Sequence, residues 1–111
     1  MKVRWQNAAK EELIHVAEWY EDRQAGLGQE FLDEVDHLVE MLHQNVERFP
    51  RYEATPIRRD VRRASLKRFP HQVLFELTAN QVWFVAIAHP SRRPQYWTKR
   101  LTSPLPSDDL E

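Results

Sequence analysis

The chain has 111 residues, 41% of them hydrophobic and 30% charged, and no cysteine. That length suits one folded domain, and the absence of cysteine rules out disulfides, cysteine-ligated zinc and thiol catalysis while fitting a reducing cytoplasm. The formal net charge of −1 hides a division: residues 1–50 hold five basic and eleven acidic side chains, residues 51–102 eleven and three, and residues 103–111 three acids and no base.

In chain order, Lys2-Val3-Arg4-Trp5 alternates polar and apolar residues and reads as a short strand. Asn7 is the expected cap of a first helix, on which Leu13, Val16, Ala17 and Tyr20 form one apolar stripe. Gly26 and Gly28 interrupt that pattern, so Arg23 to Gly28 reads as a turn. A second helix is expected from near Gln29, with Phe31, Val35, Leu38 and Leu42 facing inward and Pro50 ending it. The two helices, about 17 and 20 residues long, should form an antiparallel hairpin.

The period then changes to two. Asp60 to Leu66 reads as a strand of mixed polarity, and Phe69-Pro70 marks a break. Val73, Phe75 and Leu77 alternate with Gln72, Leu74 and Glu76 in the next strand. After a tight connection through Asn80, Val82 to Ala88 is apolar on both faces and should be a central strand covered on both sides. Gln95 to Leu101 is expected to be a short helix or a last strand. The order implies an α+β two-layer domain over residues 1–102: an N-terminal strand, a helical hairpin, then a three-stranded antiparallel meander. Residues 103–111 read as an acidic, frayed tail.

Several classes of function are disfavoured. Seven residues is the longest wholly apolar run, too short for a membrane span, and the first residues contain no apolar signal core. Both glycines fall in the interhelical turn, which leaves none for a phosphate-binding loop. The five histidines are not spaced as metal ligands, so neither a metal nor another cofactor is expected. A basic C-terminal half can bind an anion, a nucleic acid or an acidic partner, or the two halves can neutralise one another within the fold.

The chain resembles the RelE/ParE family of toxins from type II toxin–antitoxin modules, the plasmid-stabilisation type. The resemblance rests on Ala9-x-x-x-Leu13, Trp19-Tyr20-Glu21, Gly26-Leu27-Gly28-x-x-Phe31, Phe49-Pro50, Arg62-x-x-x-Leu66-x-x-Phe69-Pro70-His71-x-Val73-x-Phe75, and Ala86-Ile87-Ala88-His89-Pro90-Ser91-Arg92-Arg93-Pro94-x-Tyr96-Trp97. It implies a β-α-α-β-β-β fold and a cytoplasmic growth inhibitor. A cognate antitoxin would neutralise it in a toxin–antitoxin hetero-oligomer. The target divides the family. One branch cleaves mRNA on the ribosome, and the ParE branch poisons DNA gyrase. The long paired helices and Phe49-Pro50 look closer to ParE. A member that has lost toxicity and only binds antitoxin is a third possibility.

Metal-free RNA cleavage needs cations to stabilise charge on the phosphorus and groups that move protons. Arg62, Arg92, Tyr96 and His89 are the candidates for that chemistry, and Arg62, Lys67, Arg68, Arg92 and Arg93 for contact with a nucleic acid or another target. Tyr96 lies closer behind Arg92 than in the RNA-cleaving members, and their paired lysines are missing. Most of these candidates also have a plainer role. Arg92 could bind a helix carboxylate, and His89 a backbone carbonyl. Tyr96 and Trp97 could close the core, and Lys67 and Arg68 could sit in a solvated turn.

Overall fold

The computed structural model describes residues 2–52 and 59–102. The expectation of a frayed tail at 103–111 lies outside the described residues. Strand β1 (Lys2–Trp5) leads into α1 (Asn7–Arg23) and α2 (Leu27–Gln44), then a 3-10 turn at Val46–Arg48. Strands β2 (Asp60–Ser65), β3 (Gln72–Leu77) and β4 (Gln81–Ala88) follow, and α3 (Lys99–Thr102) is last. The sheet order is β1-β4-β3-β2. The meander is antiparallel as expected, but β1 pairs with β4 in parallel, so the sheet is mixed. The hairpin helices form the crossover that a parallel pairing requires.

Three boundaries differ from the sequence reading, each for a local reason. Gln6, not Asn7, caps α1, and it does so without a side-chain bond. The Gln6 N–H still extends the β1 ladder to Phe84 O at 3.0 Å, while its carbonyl already accepts from Lys10 N–H. The interhelical turn is only Gln24 to Gly26. The Glu21 carboxylate accepts from the N–H groups of Gly26 and Gly28, at 2.8 and 3.0 Å, and so starts α2 early. At the far end α2 stops at Gln44, because the Asn45 side chain accepts from Glu47 N–H and diverts the chain into the 3-10 turn.

Gly28 has a packing role. A Cβ there would stand 2.4 Å from the Ala17 carbonyl oxygen, so only glycine lets the two helices meet this closely. Gly28→Ala is expected to lower stability by about 1–3 kcal/mol, because backbone is the group that must move. Urea denaturation checks this, and an unchanged midpoint would contradict it.

The main core lies between hairpin and sheet, around Phe31, Val35, Leu42, Val73, Phe75 and Phe84. A second core lies on the other face, where Trp97 and Leu101 cover Val61, Leu74, Val85 and Ala86. Strand β4 is therefore covered on both sides, as its apolar run predicts. Its pairing with β3 slips between Leu74 and Phe75, so that Val85 is an extra residue. This bulge explains why consecutive Val85 and Ala86 both pack with Trp97. Gln95, at φ 61°, turns the chain back so that the 96–102 segment returns to the sheet.

Candidate functional site

The face of the sheet away from the hairpin holds a hollow of about 250 Å³. Its floor includes Gln72, Leu74 and Ala88, and the His89–Trp97 segment rims it together with Tyr52. Arg92 lies over the Tyr96 ring at 4.0 Å, and Arg63 is 5.8 Å from the ring of Tyr52. Both contacts are of cation–π type. No carboxylate is among the described residues lining the hollow, while Arg92 and Arg93 both line it and are exposed.

Beneath the rim, three side chains close an open stretch of strand edge. Strand β1 ends opposite Phe84, which leaves the edge of β4 beyond it without a backbone partner. There Arg100 donates to Val85 O at 2.6 Å, and Glu12 accepts from Ile87 N–H at 3.0 Å. The Tyr96 hydroxyl donates to Glu12 Oε2 at 2.7 Å and has Ile87 O at 3.2 Å. Arg100 completes the group with two 3.0 Å bonds to the Glu12 carboxylate. Burial alone would raise the pKa of Glu12, but the bonds from Arg100, Tyr96 and Ile87 outweigh it and hold the carboxyl below its usual range. Burial and the adjacent Glu12 charge push the Tyr96 phenol far above its ordinary value. Burial would lower Arg100, yet Glu12 raises it.

The candidates named from the sequence fall into two groups. Arg92, Arg93, His89 and Tyr96 all line the hollow. Arg62 does not join them. It sits opposite Phe75 in the ladder and so faces the hairpin layer, where it bonds Asp60 at 3.0 and 3.2 Å and Phe49 O at 3.1 Å. Lys67 and Arg68 turn toward α2: the Glu34 carboxylate accepts from both backbone N–H groups, and Arg68 also pairs with Glu30. The basic and acidic halves thus neutralise each other at these places. Arg92 stacks on Tyr96 and has no helix carboxylate, the role that Arg100 fills instead. His89 Nδ1 accepts from Ser91 N–H at 3.0 Å and lies 2.7 Å from Ser91 Oγ, rather than meeting a carbonyl. Trp97, only 3% exposed, is a core lid.

Sequence reading missed Glu12, Arg100, Tyr52 and Arg63. It also missed the pair on the same face of the sheet in which Arg59 donates to Glu76 at 2.7 and 2.9 Å. Among the described residues no group of three His, Cys, Asp or Glu could hold a metal ion, and no helix is long and apolar enough to cross a membrane.

His71 lies behind the hollow, 5% exposed, against the rings of Phe31, Tyr20 and His89. Its Nδ1 is buried and has no hydrogen-bond partner among the described residues. Burial, helped by His89, lowers its pKa from 6.5 to about 4. A histidine kept neutral in the fold gains a proton on unfolding once the pH is below about 6.5. Stability should therefore be full above that pH and fall as the pH drops toward 4, by about 1–2 kcal/mol between pH 7 and 5. Urea midpoints at the two pH values test this, with His71→Phe expected to flatten the difference. Equal slopes for both proteins would rule His71 out as the cause.

A family model described as the ParE toxin of type II toxin-antitoxin system, parDE, matches residues 3–94. No curated protein matches the chain. Among solved structures, one titled "Chromosomal ParDE TA system from P. aeruginosa" aligns with a TM-score of 0.64 and 18% identity, covering 80% of this chain and 95% of that one. At that identity the likeness speaks for the fold, whereas the family match spans most of the sequence. The chain belongs to the ParE toxin family of type II toxin–antitoxin systems.

Proposed function

We propose that this chain is a cytoplasmic growth-inhibiting toxin that acts on DNA gyrase through protein contacts and is held inactive by a cognate antitoxin. The observation that carries the choice of target is the commitment of Tyr96. Its hydroxyl belongs to the bond network with Glu12 and the β4 edge and is held far from titration near neutral pH. Arg62 faces the other side of the sheet. RNA cleavage needs phosphate-binding and proton-moving groups at one phosphorus; with Arg62 on the other face and the Tyr96 hydroxyl committed to Glu12, only Arg92 and His89 of that set stand free at the hollow. The rim thus presents Arg92 and Arg93 beside aromatic rings, with His89 next to them, and arginines among aromatic rings are a composition that anchors protein interfaces. For the antitoxin, α1 offers exposed Ile14 and Trp19, and the apolar groove between Trp5, Leu13, Leu32 and Val39 suits a partner segment.

The test is a gyrase supercoiling and cleavage assay with purified protein. Supercoiling should be lost and linear DNA should accumulate in the presence of ATP. Arg92→Glu with Arg93→Glu should weaken the effect tenfold or more while circular dichroism stays unchanged. No effect from folded protein, together with Arg92-dependent cleavage of mRNA on ribosomes, would favour the nuclease reading. Failure of the induced chain to arrest growth would leave only antitoxin binding.

A further inference from the structure

The hollow gathers positive charge and lacks a described carboxylate, and the chain itself carries a segment of opposite character close by. Residues 103–111, Ser-Pro-Leu-Pro-Ser-Asp-Asp-Leu-Glu, follow α3 directly and hold three acids and no base. Leu101, two positions before them, packs in the same cluster as Trp97, which is a wall of the hollow. Asp108 lies six residues beyond Thr102, a reach of up to ~20 Å in extended chain. Pro104 and Pro106 favour that extended form and reduce the freedom lost on docking. The half-buried rings of Tyr52 and Tyr96 provide an aromatic-lined surface of the kind that extended proline-containing segments occupy.

We propose that residues 103–111 dock across this hollow in the same molecule, with Asp108 and Asp109 meeting Arg92 and Arg93. Tethering makes the contact effective even if it is weak. A short linker presents the segment at an effective concentration on the order of millimolar, so an intrinsic Kd of that size half-fills the site. A partner that uses the rim must displace the segment, and salt must loosen it because the pairs are exposed. The inference is independent of which target the toxin has.

The absence of native cysteine makes a site-specific probe simple. Ser107→Cys carrying a nitroxide label, in the full-length isotope-labelled chain, should attenuate the amide signals of Gln72, Ala88 and Arg93 to less than half at 50 mM salt. Glu18 and Asp33, on the helices, should keep theirs. The signals should return at 0.5 M salt, and also in the variant Asp108→Asn, Asp109→Asn, Glu111→Gln. Attenuation no stronger at the hollow than on the helices would overturn the proposal, and so would attenuation that survives loss of the acids. A mixture of spin-labelled unenriched protein and unlabelled isotope-enriched protein should show no attenuation. If it does, the segment of a second copy fills the site and docking within one molecule is wrong.

Discussion

Glu12→Ala is expected to lower the free energy of unfolding by about 3 kcal/mol, at the lower end of what loss of one partner from a buried ion pair costs. The reason is what the carboxylate leaves behind. Arg100, only one-fifth exposed at its side chain, would lose two charge-assisted bonds, and Ile87 N–H and the Tyr96 hydroxyl would each lose an acceptor. A drop in Tm of roughly 10–20 °C should accompany this in a domain of about 100 residues. Glu12→Ala with Arg100→Met should recover part of the loss, because it removes the stranded cation as well. A thermal melt of Glu12→Ala within 2 °C of the parent would show that these bonds hold nothing together.

Phe31→Ala should cost about 3–5 kcal/mol. Phe31 is fully buried, and its ring meets those of Tyr20, Phe69 and His71 at centroid distances of 5.7, 5.2 and 5.5 Å. Removing it empties the point where α1, α2 and the β2–β3 connection come together, and the bulky rings around the void resist collapse. Against a total stability of about 5–15 kcal/mol, that loss is between a fifth and the whole of what holds the domain folded. Phe31→Leu, which keeps most of the volume, should cost far less. Urea titrations of the two variants measure the difference, and equal midpoints would mean that the site is not close-packed.

The parts of the fold legible in the sequence were those governed by periodicity. The spacing of Phe31, Val35, Leu38 and Leu42 places α2's buried face, and the unbroken run through β4 signals cover on both sides. The parallel seat of β1 was not legible, because four alternating residues carry no mark of which strand they join. Helix ends were misread where a distant group decides them, as Glu21 does for α2. The site was half legible. Arg92, Arg93, His89 and Tyr96 lie within eight consecutive residues and were bound to be neighbours. Arg62 was grouped with them as a candidate phosphate ligand, but its odd-or-even place along β2 sends it to the other face. Glu12 did leave a trace. It falls at i+3 from Ala9, within the stripe continued by Leu13, Val16 and Tyr20, and a carboxylate at a core position needs a partner. Which cation would answer it, 88 residues away, no local pattern reveals.

The parallel seating of β1 also has a consequence for synthesis. Residues 2–5 find their ladder only in residues 81–84, and Glu12 waits for Ile87 and Arg100. On the ribosome both helices are complete by residue 44, while the sheet they must cover does not yet exist. At about 5–20 residues per second, the remaining stretch to Arg100 takes roughly 3–11 s. Through most of that interval the inner face of the hairpin lacks the sheet that covers it, and the rim at Arg92 and Arg93 has not been made. The nascent chain is thus at its most vulnerable before its sheet exists, with apolar helix surface open to chaperones and proteases.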